Sequence, residues 1–581
     1  MSDFVFSARR RAPGELRACL ERYLAPVAAD VEEHHGDWGS LAVALFPHDP
    51  GSVVVDDGRF LSVLAGEPVV RIAPEPAGLA WRGGRRRALH DLLKTERGLA
   101  WDDHLDGHFA VLGVDKDTGD GIVLTDLFAF IPLFTATDAE GALVVGTHVD
   151  AAARAAGRNR DVDPVSAADL AATLTCTFPH TLYRGARQAM PATARRFGRG
   201  GWVDAGRTFW RPEERNPFAS VREAAAALRE AVADDLRVTC DGLDEAGILL
   251  SGGEDSRALL GAVPPGVRVR PITYADWESR EVRIARAVAR AHGAELVVGR
   301  RSPTHYMDGF EAVASLVGGH HLFMDVHGYG FQDRLGMRDL PVVFGGLSSD
   351  SLLKSQYGVE RRPGPRPPVA VPREPMLREE VLREVEARKT AFRDWLAEMR
   401  PETADEWRVL WPLGMRKHGG NLDGNRRLFR SHEVYHAAAV VKLAAAVPPA
   451  WKRHRRLFHL AMRPFFAKTR WVPHGSVRYP AFGRWANLLL VPGLAAARGA
   501  RAVLSGELRA RHRPWPKWSS VALSPEADRA RREHPLLQSP LAEIFIPAPP
   551  EEVDAAVRRW YPLRQLILLQ LAYLTRKARE D

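Results

Sequence analysis

The chain has 581 residues, which is too many for a single hydrophobic core and predicts two or three domains. Its composition, 45% hydrophobic and 26% charged, is typical of a globular protein, and no apolar run of about 18 residues predicts a transmembrane helix. The formal charge of +9 would suit an anionic partner such as nucleic acid. Because the basic residues are scattered among acidic ones, we expect neither a nucleic-acid nor a membrane partner.

Cysteine usage and the N-terminal residues predict the compartment. The three cysteines, Cys19, Cys176 and Cys240, form no CxxC pair, which argues against a disulfide framework or a structural zinc site. The N-terminus lacks the continuous apolar segment of a secretory signal. We therefore expect a cytoplasmic protein.

The first 210 or so residues alternate short β-branched runs with turn pairs, which predicts stacked antiparallel sheets. The predicted strands are residues 41–46, 60–66, 109–116, 121–126 and 141–149.

The pattern of predicted secondary structure changes after an amphipathic helix predicted at 219–240. Strands and helices now alternate, which is typical of a parallel sheet covered by helices. The predicted elements are strands at 246–250, 268–276, 294–299 and 340–346 and a helix at 279–293.

Helical patterns dominate the rest of the chain, at 379–399 and 433–447, after a proline-dense loop or lid at 360–375. The boundary between the β-rich and α/β parts is predicted near Glu213–Ser220. The predicted domains are residues 1–212, residues 213–500 and an arginine-rich helical C-terminal extension at 501–581.

The segment ILLSGGEDSRALL (248–260) places a Ser-Gly-Gly turn between a strand and a helix. Gly252 and Gly253 allow the backbone to approach an anion, and the N–H groups of the turn and helix start hold negative charge. The hydroxyl groups of Ser251 and Ser256 can donate to phosphate oxygens. Asp255 would repel a bare phosphate, so a divalent cation is expected between them. The alternative is an ordinary strand–helix turn with an aspartate cap.

SGGxDS after an apolar strand resembles the pyrophosphate loop of enzymes that split ATP between its α and β phosphates. Residues 274–296, VVFGGLSSDSLL (342–353) and residues 421–453 resemble the corresponding stretches of the asparagine synthetase family. LDGHFAVLGVDKDTGDGIVLTDLFAFIPLF (105–134) and FPHTLYRGARQAMPATARRF (178–197) resemble the glutaminase-type half of the same enzymes. The resemblance extends to about residue 490.

This resemblance implies an α+β glutaminase-like sandwich of the Ntn-hydrolase type, followed by an α/β ATP-pyrophosphatase domain with a parallel sheet and a helical C-terminal part. It implies that ATP and Mg²⁺ bind, with the metal held by Asp255 and Asp350. The implied nucleotide-binding residues are Leu250, Ser251, Gly252, Gly253, Asp255, Ser256, Thr273, Gly346 and Asp350.

The sequence departs from the family at its start. Glutamine-hydrolysing members carry a cysteine nucleophile after the initiating methionine, whereas this chain begins Met1-Ser2-Asp3. Cys19 lies in a helical pattern where a buried thiol is expected. We therefore expect the glutaminase-like domain to be an inactive scaffold, and the amine to come from the substrate. That is the situation in the β-lactam synthetases and lasso-peptide cyclases of the family.

Two further departures concern the reaction centre. Leu347 stands where the family has an acidic residue or tyrosine, and leucine cannot accept a proton from an amine. The candidate bases are His320, His321, Asp325 and His327, in a loop that could also be a metal site or an ordinary polar loop.

The resemblance also implies a cation that stabilises developing negative charge. The matching residue is His474, with Lys468 as the alternative, and the histidine acts as a cation only when it is protonated. Arg257 is expected to contact a phosphate, to contact the substrate carboxylate or to face solvent.

The sequence thus predicts an AMP-forming ligase that adenylates a carboxylate and passes the acyl group to an amine, in secondary-metabolite or peptide tailoring such as lasso cyclisation. The alternatives are an ammonia-dependent asparagine synthetase and a non-catalytic nucleotide-binding homologue. The expected partner is a small-molecule or peptide substrate with a carboxylate and an amine, with a homodimer or a precursor-processing protein as further candidates.

Overall fold

The computed structural model describes residues 2–49, 53–70, 82–95, 101–358, 366–476, 478–504 and 516–580. Parts of the predicted loop at 360–375 and of the predicted extension at 501–581 lie outside these ranges.

The elements before residue 210 are β1 Ser2–Ser7, α1 Glu15–Leu24, β2 Asp30–Gly36, β3 Gly39–Leu45, β4 Val54–Asp56, β5 Phe60–Gly66, β6 Val69–Val70, α2 Arg82–Thr95, α3 Trp101–His104, β7 Leu105–Asp106, β8 Phe109–Asp115, β9 Gly121–Thr125, β10 Phe134–Thr137, β11 Leu143–Gly146, α4 Val149–Ala155, α5 Pro164–Thr173, β12 Arg187–Gln188, β13 Thr193–Gly198, β14 Gly201–Trp202 and β15 Arg207–Thr208.

Apart from β6 and β7, which pair with each other, these strands form two stacked antiparallel sheets, as the sequence predicts. The first sheet has the order β12-β10-β11-β1-β3-β2 and the second β14-β13-β9-β8-β5-β4, with β15 paired to β13. Strand β1 explains the layering, because side chains alternate between the faces of a sheet. Phe4 and Phe6 pack in the core between the sheets, and Val5 packs with the helices on the outer face. The outer face of the second sheet packs against α2 and α3 through Leu89 and Trp101.

The remaining elements are α6 Val221–Cys240, β16 Glu245–Leu249, α7 Asp255–Ala262, β17 Arg268–Ala275, α8 Arg280–Ala291, β18 Val297–Arg300, α9 His305–Asp308, α10 Phe310–Val317, β19 Val343–Gly345, α11 Ser349–Leu353, α12 Glu379–Met399, α13 Ala404–Trp407, α14 Gly419–Leu428, β20 Ser431–Glu433, α15 Ala438–Ala446, α16 Pro449–Lys452, α17 Arg456–Met462, α18 Arg484–Leu504, α19 Trp518–Ala522, α20 Pro525–Glu533, α21 Pro550–Val557 and α22 Pro562–Lys577.

Five of these strands form the predicted parallel sheet, in the order β18-β17-β16-β19-β20. The helix predicted at 279–293 is α8, capped by Ser279, whose hydroxyl accepts from the N–H of Val282. The helix predicted at 433–447 begins only at Ala438, which corrects that prediction. Glu433 instead ends the edge strand β20, and Val434–His436 form a short 3-10 helix. The three residues of β20 are too few for a strand to show a period of its own.

The final helix is part of the core. Helix α22 is buried from Gln565 to Thr575, where it packs with α5 and α10. The side chain of Gln570 donates to the carbonyls of Gly318 and His321 at 2.8 and 2.7 Å and accepts from the N–H of Phe323 at 3.0 Å. Among the described residues, no helix is both long enough and apolar enough to cross a membrane.

Candidate functional site

A pocket of about 450 Å³ opens at the carboxyl end of the parallel sheet. From β16 the chain proceeds outward to β17 and β18 and then returns to the other side of β16 with β19 and β20. The loops after β16 and β19 therefore diverge, and such a topological switch point is where parallel α/β sheets bind ligands. The volume lies in the range of small-molecule sites.

Most of the predicted nucleotide-binding residues line this pocket. They come from the ends of three neighbouring strands, which the parallel sheet brings to one edge. The residues are Leu250, Ser251, Gly252, Asp255, Ser256, Thr273, Gly346 and Asp350.

The Ser-Gly-Gly turn is held by its own hydroxyl groups. The N–H of Ser251 donates to Oγ of Ser256 at 3.1 Å, and the N–H of Gly253 donates to Oγ of Ser251 at 3.1 Å. A Cβ on Gly252 would lie 3.1 Å from the Cα of Glu281 at the start of α8. A Cβ on Gly346 would lie 3.2 Å from the N of Ser256. A larger residue at either glycine would therefore require the neighbouring backbone to shift by a few tenths of an ångström.

Lys354, which the sequence did not single out, lies between the two predicted metal ligands. Its Nζ contacts Oδ1 of Asp255, lies 2.9 Å from Oδ1 of Asp350 and lies 3.1 Å from Oε1 of Glu254. Burial alone would lower the pKa of Lys354, but the three carboxylates raise it above its usual value. Oxygen donors suit Mg²⁺, but a Mg²⁺ ion shared by the two aspartates does not fit while this ammonium bridges them. The one signal in the sequence was the i,i+4 spacing of Asp350 and Lys354.

Glu254 completes the charge balance at the turn. Its Oε2 lies 2.8 Å from Nη1 of Arg478, and its Oε1 lies 3.3 Å from Nη1 of Arg455. Three carboxylates and three cations thus meet at the start of α7. This network neutralises most of the negative charge that would otherwise oppose a phosphate at the turn.

Glu433 lies at the end of β20 and lines the same pocket. Its Oε2 accepts from the N–H of Leu347 at 2.9 Å, whereas its buried Oε1 has no hydrogen-bond partner among the described residues. Burial raises the pKa of Glu433 to about 7, although the hydrogen bond from Leu347 lowers it. A carboxyl group with this pKa can accept a proton near neutral pH. Sequence reasoning missed it because β20 was not predicted.

One of the four candidate bases lines the pocket. His327 does so, with its Nδ1 3.0 Å from the hydroxyl of Tyr306. Asp325 lies 3.1 Å from Nδ1 of His418, and it is His418 that lines the pocket. His320 and His321 are buried away from it with their rings in contact. Burial lowers the pKa values of His320, His321 and His327, so all three rings are neutral at pH 7.

The two candidates for the stabilising cation lie in different places. Lys468 lines a separate cavity with His292 and Phe465, so the structure does not bring it to the pocket, in contrast to the prediction. His474 lies near Glu254 and Arg455 but is not part of the pocket wall. Burial lowers the pKa of His474 to about 4, so the ring is neutral at pH 7 and cannot supply a positive charge.

Arg257 adopts none of the three predicted roles. It is fully buried, and its guanidinium donates to the carbonyls of Val472 and Pro473 at 2.7 and 3.1 Å. This side chain therefore ties the 472–473 segment, and with it the segment that carries His474, to helix α7.

The thiols of the chain are not suited to nucleophilic attack. Cys19, Cys176 and Cys240 are all buried, and burial raises the pKa of Cys19 to about 11 and those of Cys176 and Cys240 to about 12. Ser2 is buried within β1, where its hydroxyl donates to the carbonyl of Leu64 at 2.9 Å.

Comparison with known proteins finds little similarity. The chain matches no protein family and no curated protein. Among solved structures it is similar to the allosteric regulatory enzyme of purine biosynthesis, at 13% identity over 52% of this chain and 81% of that one, with a TM-score of 0.25. It is also similar to the glutamine phosphoribosylpyrophosphate amidotransferase of B. subtilis complexed with ADP and GMP, at 13% identity, 51% and 81% coverage and a TM-score of 0.25.

Proposed function

We propose that this protein is an ATP-dependent, AMP-forming ligase that adenylates a substrate carboxylate and transfers the acyl group to an amine. The observation that carries the proposal is the convergence of the SGGEDS turn and the loop around Asp350 on one pocket at the switch point of the parallel sheet. The hydroxyls of Ser251 and Ser256, which accept hydrogen bonds from N–H groups of the turn, would donate their own protons to the phosphates and hold them together with the start of α7. The nucleoside would lie beside Leu250 and Thr273, at the ends of β16 and β17.

The pocket is also lined by residues that suit the second substrate. Arg416 offers a guanidinium group for a carboxylate, and His418, Asn421 and Asn425 offer further polar groups. The substrate carboxylate would attack the α-phosphate, forming an acyl-adenylate and releasing pyrophosphate. The amine would then attack the acyl carbon, and AMP would leave.

Glu433 would take the proton from the attacking amine. Its Oε1 has no hydrogen-bond partner within the part of the chain that the structure describes, and its pKa is about 7; both support this role. The Glu433 carboxylate would thus act as the base, a role that Leu347 cannot perform.

The amine would belong to the substrate itself, as in ring closure on a peptide or a small molecule. Support comes from the buried, high-pKa state of all three thiols, which disfavours hydrolysis of glutamine by cysteine attack. An asparagine synthetase using free ammonia is the second candidate, because the polar wall at Arg416 also suits a small amino acid.

Exchange of radiolabelled pyrophosphate into ATP tests the adenylation step without the amine. We expect exchange only with a suitable carboxylic acid, and we expect Asp255→Ala to abolish it while Lys468→Ala, outside the pocket, retains it. Ring closure would show as the loss of one water from a linear substrate. Asparagine formation from aspartate and ammonium would favour the second candidate. Nucleotide binding without exchange for any acid would indicate a non-catalytic homologue.

A further inference from the structure

Lys354 is held from several sides at the place where two carboxylates of the pocket converge. Its Nζ contacts Asp255, lies 2.9 Å from Asp350 and lies 3.1 Å from Glu254. Its Nζ also lies 4.1 Å from the centroid of the Phe458 ring, a favourable cation–π distance. The side chain is 3% exposed.

The same position is the one that a bridging divalent ion would need. Mg²⁺ binds oxygen at about 2.0–2.1 Å, so an ion shared by Asp255 and Asp350 would lie where Nζ of Lys354 now lies. An ammonium and a divalent cation cannot share one such space, because their charges repel strongly at this separation.

The charges around the turn also balance without a metal. The carboxylates of Glu254, Asp255 and Asp350 face Lys354, Arg455 and Arg478. Without Lys354, three carboxylates would remain close together with the two arginines contacting only Glu254.

We propose that Lys354 replaces the divalent cation that Asp255 and Asp350 would otherwise share. Lys354 is not part of the pocket wall, so it acts through the two aspartates as a positioning residue. It neutralises and orients their carboxylates so that a polyphosphate can approach the turn. The consequence is that ATP binds at this turn without a metal ion that bridges Asp255 and Asp350. This consequence rests on the proposed function.

The first test needs no nucleotide. Binding of Mn²⁺ alone to the full chain is measured by electron paramagnetic resonance for the wild type, Lys354→Met and Lys354→Arg. Methionine keeps the length and removes the charge, and arginine keeps the charge. We expect Lys354→Met alone to gain a Mn²⁺ site, at least about tenfold tighter than any wild-type site, and the addition of Asp350→Asn to remove it.

The second test compares the affinity for ATP with excess Mg²⁺ and with excess EDTA. We expect the wild type and Lys354→Arg to change by less than about threefold, and Lys354→Met to bind about tenfold more weakly in EDTA. Lys468→Met, a lysine of another cavity, serves as the matched control and should behave as the wild type.

A Mn²⁺ site in the wild type that Asp350→Asn removes would overturn the proposal, even if Lys354→Met failed to fold. A wild type that binds ATP only with Mg²⁺ would also overturn it. If no variant binds ATP, the proposed function fails, and the Mn²⁺ measurement still decides whether Lys354 takes the place of the ion.

Discussion

Oδ2 of Asp3 accepts a hydrogen bond from Nε of Arg427 at 2.6 Å, which joins the first strand of the antiparallel sheets to helix α14. Oδ1 of Asp3 accepts from Nη2 of Arg426 at 2.8 Å, and Asp423 contacts both arginines. All four side chains are buried. The β-rich half and the parallel-sheet half are therefore linked by a desolvated cluster of two carboxylates and two guanidinium groups.

Breaking this cluster should lower stability. Asp3→Asn leaves two buried guanidinium groups facing one carboxylate of this cluster, that of Asp423. We expect the free energy of unfolding to fall by about 3 kcal/mol in urea denaturation near pH 7. Burial raises the pKa of Asp3, but Arg426 and Arg427 lower it on balance. The ionised Asp3 therefore contributes its full stabilisation above the usual pKa of an aspartate. This stabilisation is lost as the pH falls through the lower pKa that Asp3 has in the folded protein. The control is Asp37→Asn, an exposed side chain 3.7 Å from Arg10. Equal stability of the two variants at pH 7 would contradict this account.

Glu433→Gln should separate the two half-reactions. We expect pyrophosphate exchange to persist while amide formation falls at least about a hundredfold, in the range of general-base contributions. In the wild type, amide formation should rise with pH through about 7, where Glu433 loses its proton. The pH profile of product formation, measured by mass spectrometry, checks this. An unchanged rate in the variant would exclude Glu433 as the base.

The same substitution should stabilise the fold at alkaline pH. Because the pKa of Glu433 is raised from 4.5 to about 7, ionisation costs more in the folded than in the unfolded chain. The protonated Glu433 side chain favours the folded state fully below pH 4.5. This contribution to the free energy of unfolding, about 3 kcal/mol, is lost as the pH rises from 4.5 to about 7. Glu433→Gln should therefore have a higher melting temperature than the wild type at pH 8 and a similar one at pH 4. The exposed Glu380→Gln should show no such difference.

Gly252→Ala should displace the phosphate turn. The added Cβ would lie 3.1 Å from the Cα and the carbonyl oxygen of Glu281, so α8 or the turn must shift. We expect a loss of about 1–3 kcal/mol in stability and a fall of at least about tenfold in ATP affinity, measured by calorimetry. Gly200→Ala, where a Cβ would meet nothing within 4 Å, is the control. Unaltered ATP affinity in Gly252→Ala would place the nucleotide elsewhere.

His474 should contribute no charge to the reaction. Because burial lowers its pKa to about 4, the ring does not change its protonation between pH 5.5 and 8. We expect His474→Gln and the wild type to have pH–rate profiles of the same shape in that range. A limb with a midpoint near 6.5 that disappears in the variant would show that the imidazole acts as a cation.

Gln570→Ala should destabilise the protein through the last helix. The side chain makes three hydrogen bonds to backbone groups of residues 318–323, and its removal leaves those buried groups unsatisfied. We expect a loss of about 2–3 kcal/mol in urea denaturation. The exposed Gln538→Ala is the control. Equal effects of the two variants would argue against a structural role for α22.

Local patterns predicted the elements that have a strong period or a distinctive turn. Helix α12 has the bounds that its apolar spacing predicts, Glu379–Met399, and the SGGEDS turn lies between β16 and α7 as its glycines predict. Strand β20 could not be predicted, because three residues show no period and its pairing with β19 is a tertiary contact. The burial of α22 was missed because a helix pattern does not reveal which element covers it.

The sequence alone determined that the glycine turn follows one strand of a predicted parallel sheet and that the Asp350 motif follows another, because both are local patterns of apolar runs and turn residues. The tertiary structure decided that these two strands, β16 and β19, are neighbours. Only the tertiary structure decided what lies between the two aspartates. Asp350 in α11 is close to Lys354 in the sequence, but the other partners of Lys354 are distant: Glu254 and Asp255 lie at the start of α7, and Phe458 lies in α17. Only the packing of these helices brings them within contact of one ammonium group. For the same reason the tertiary structure separated Lys468 from the pocket and brought Glu433 into it.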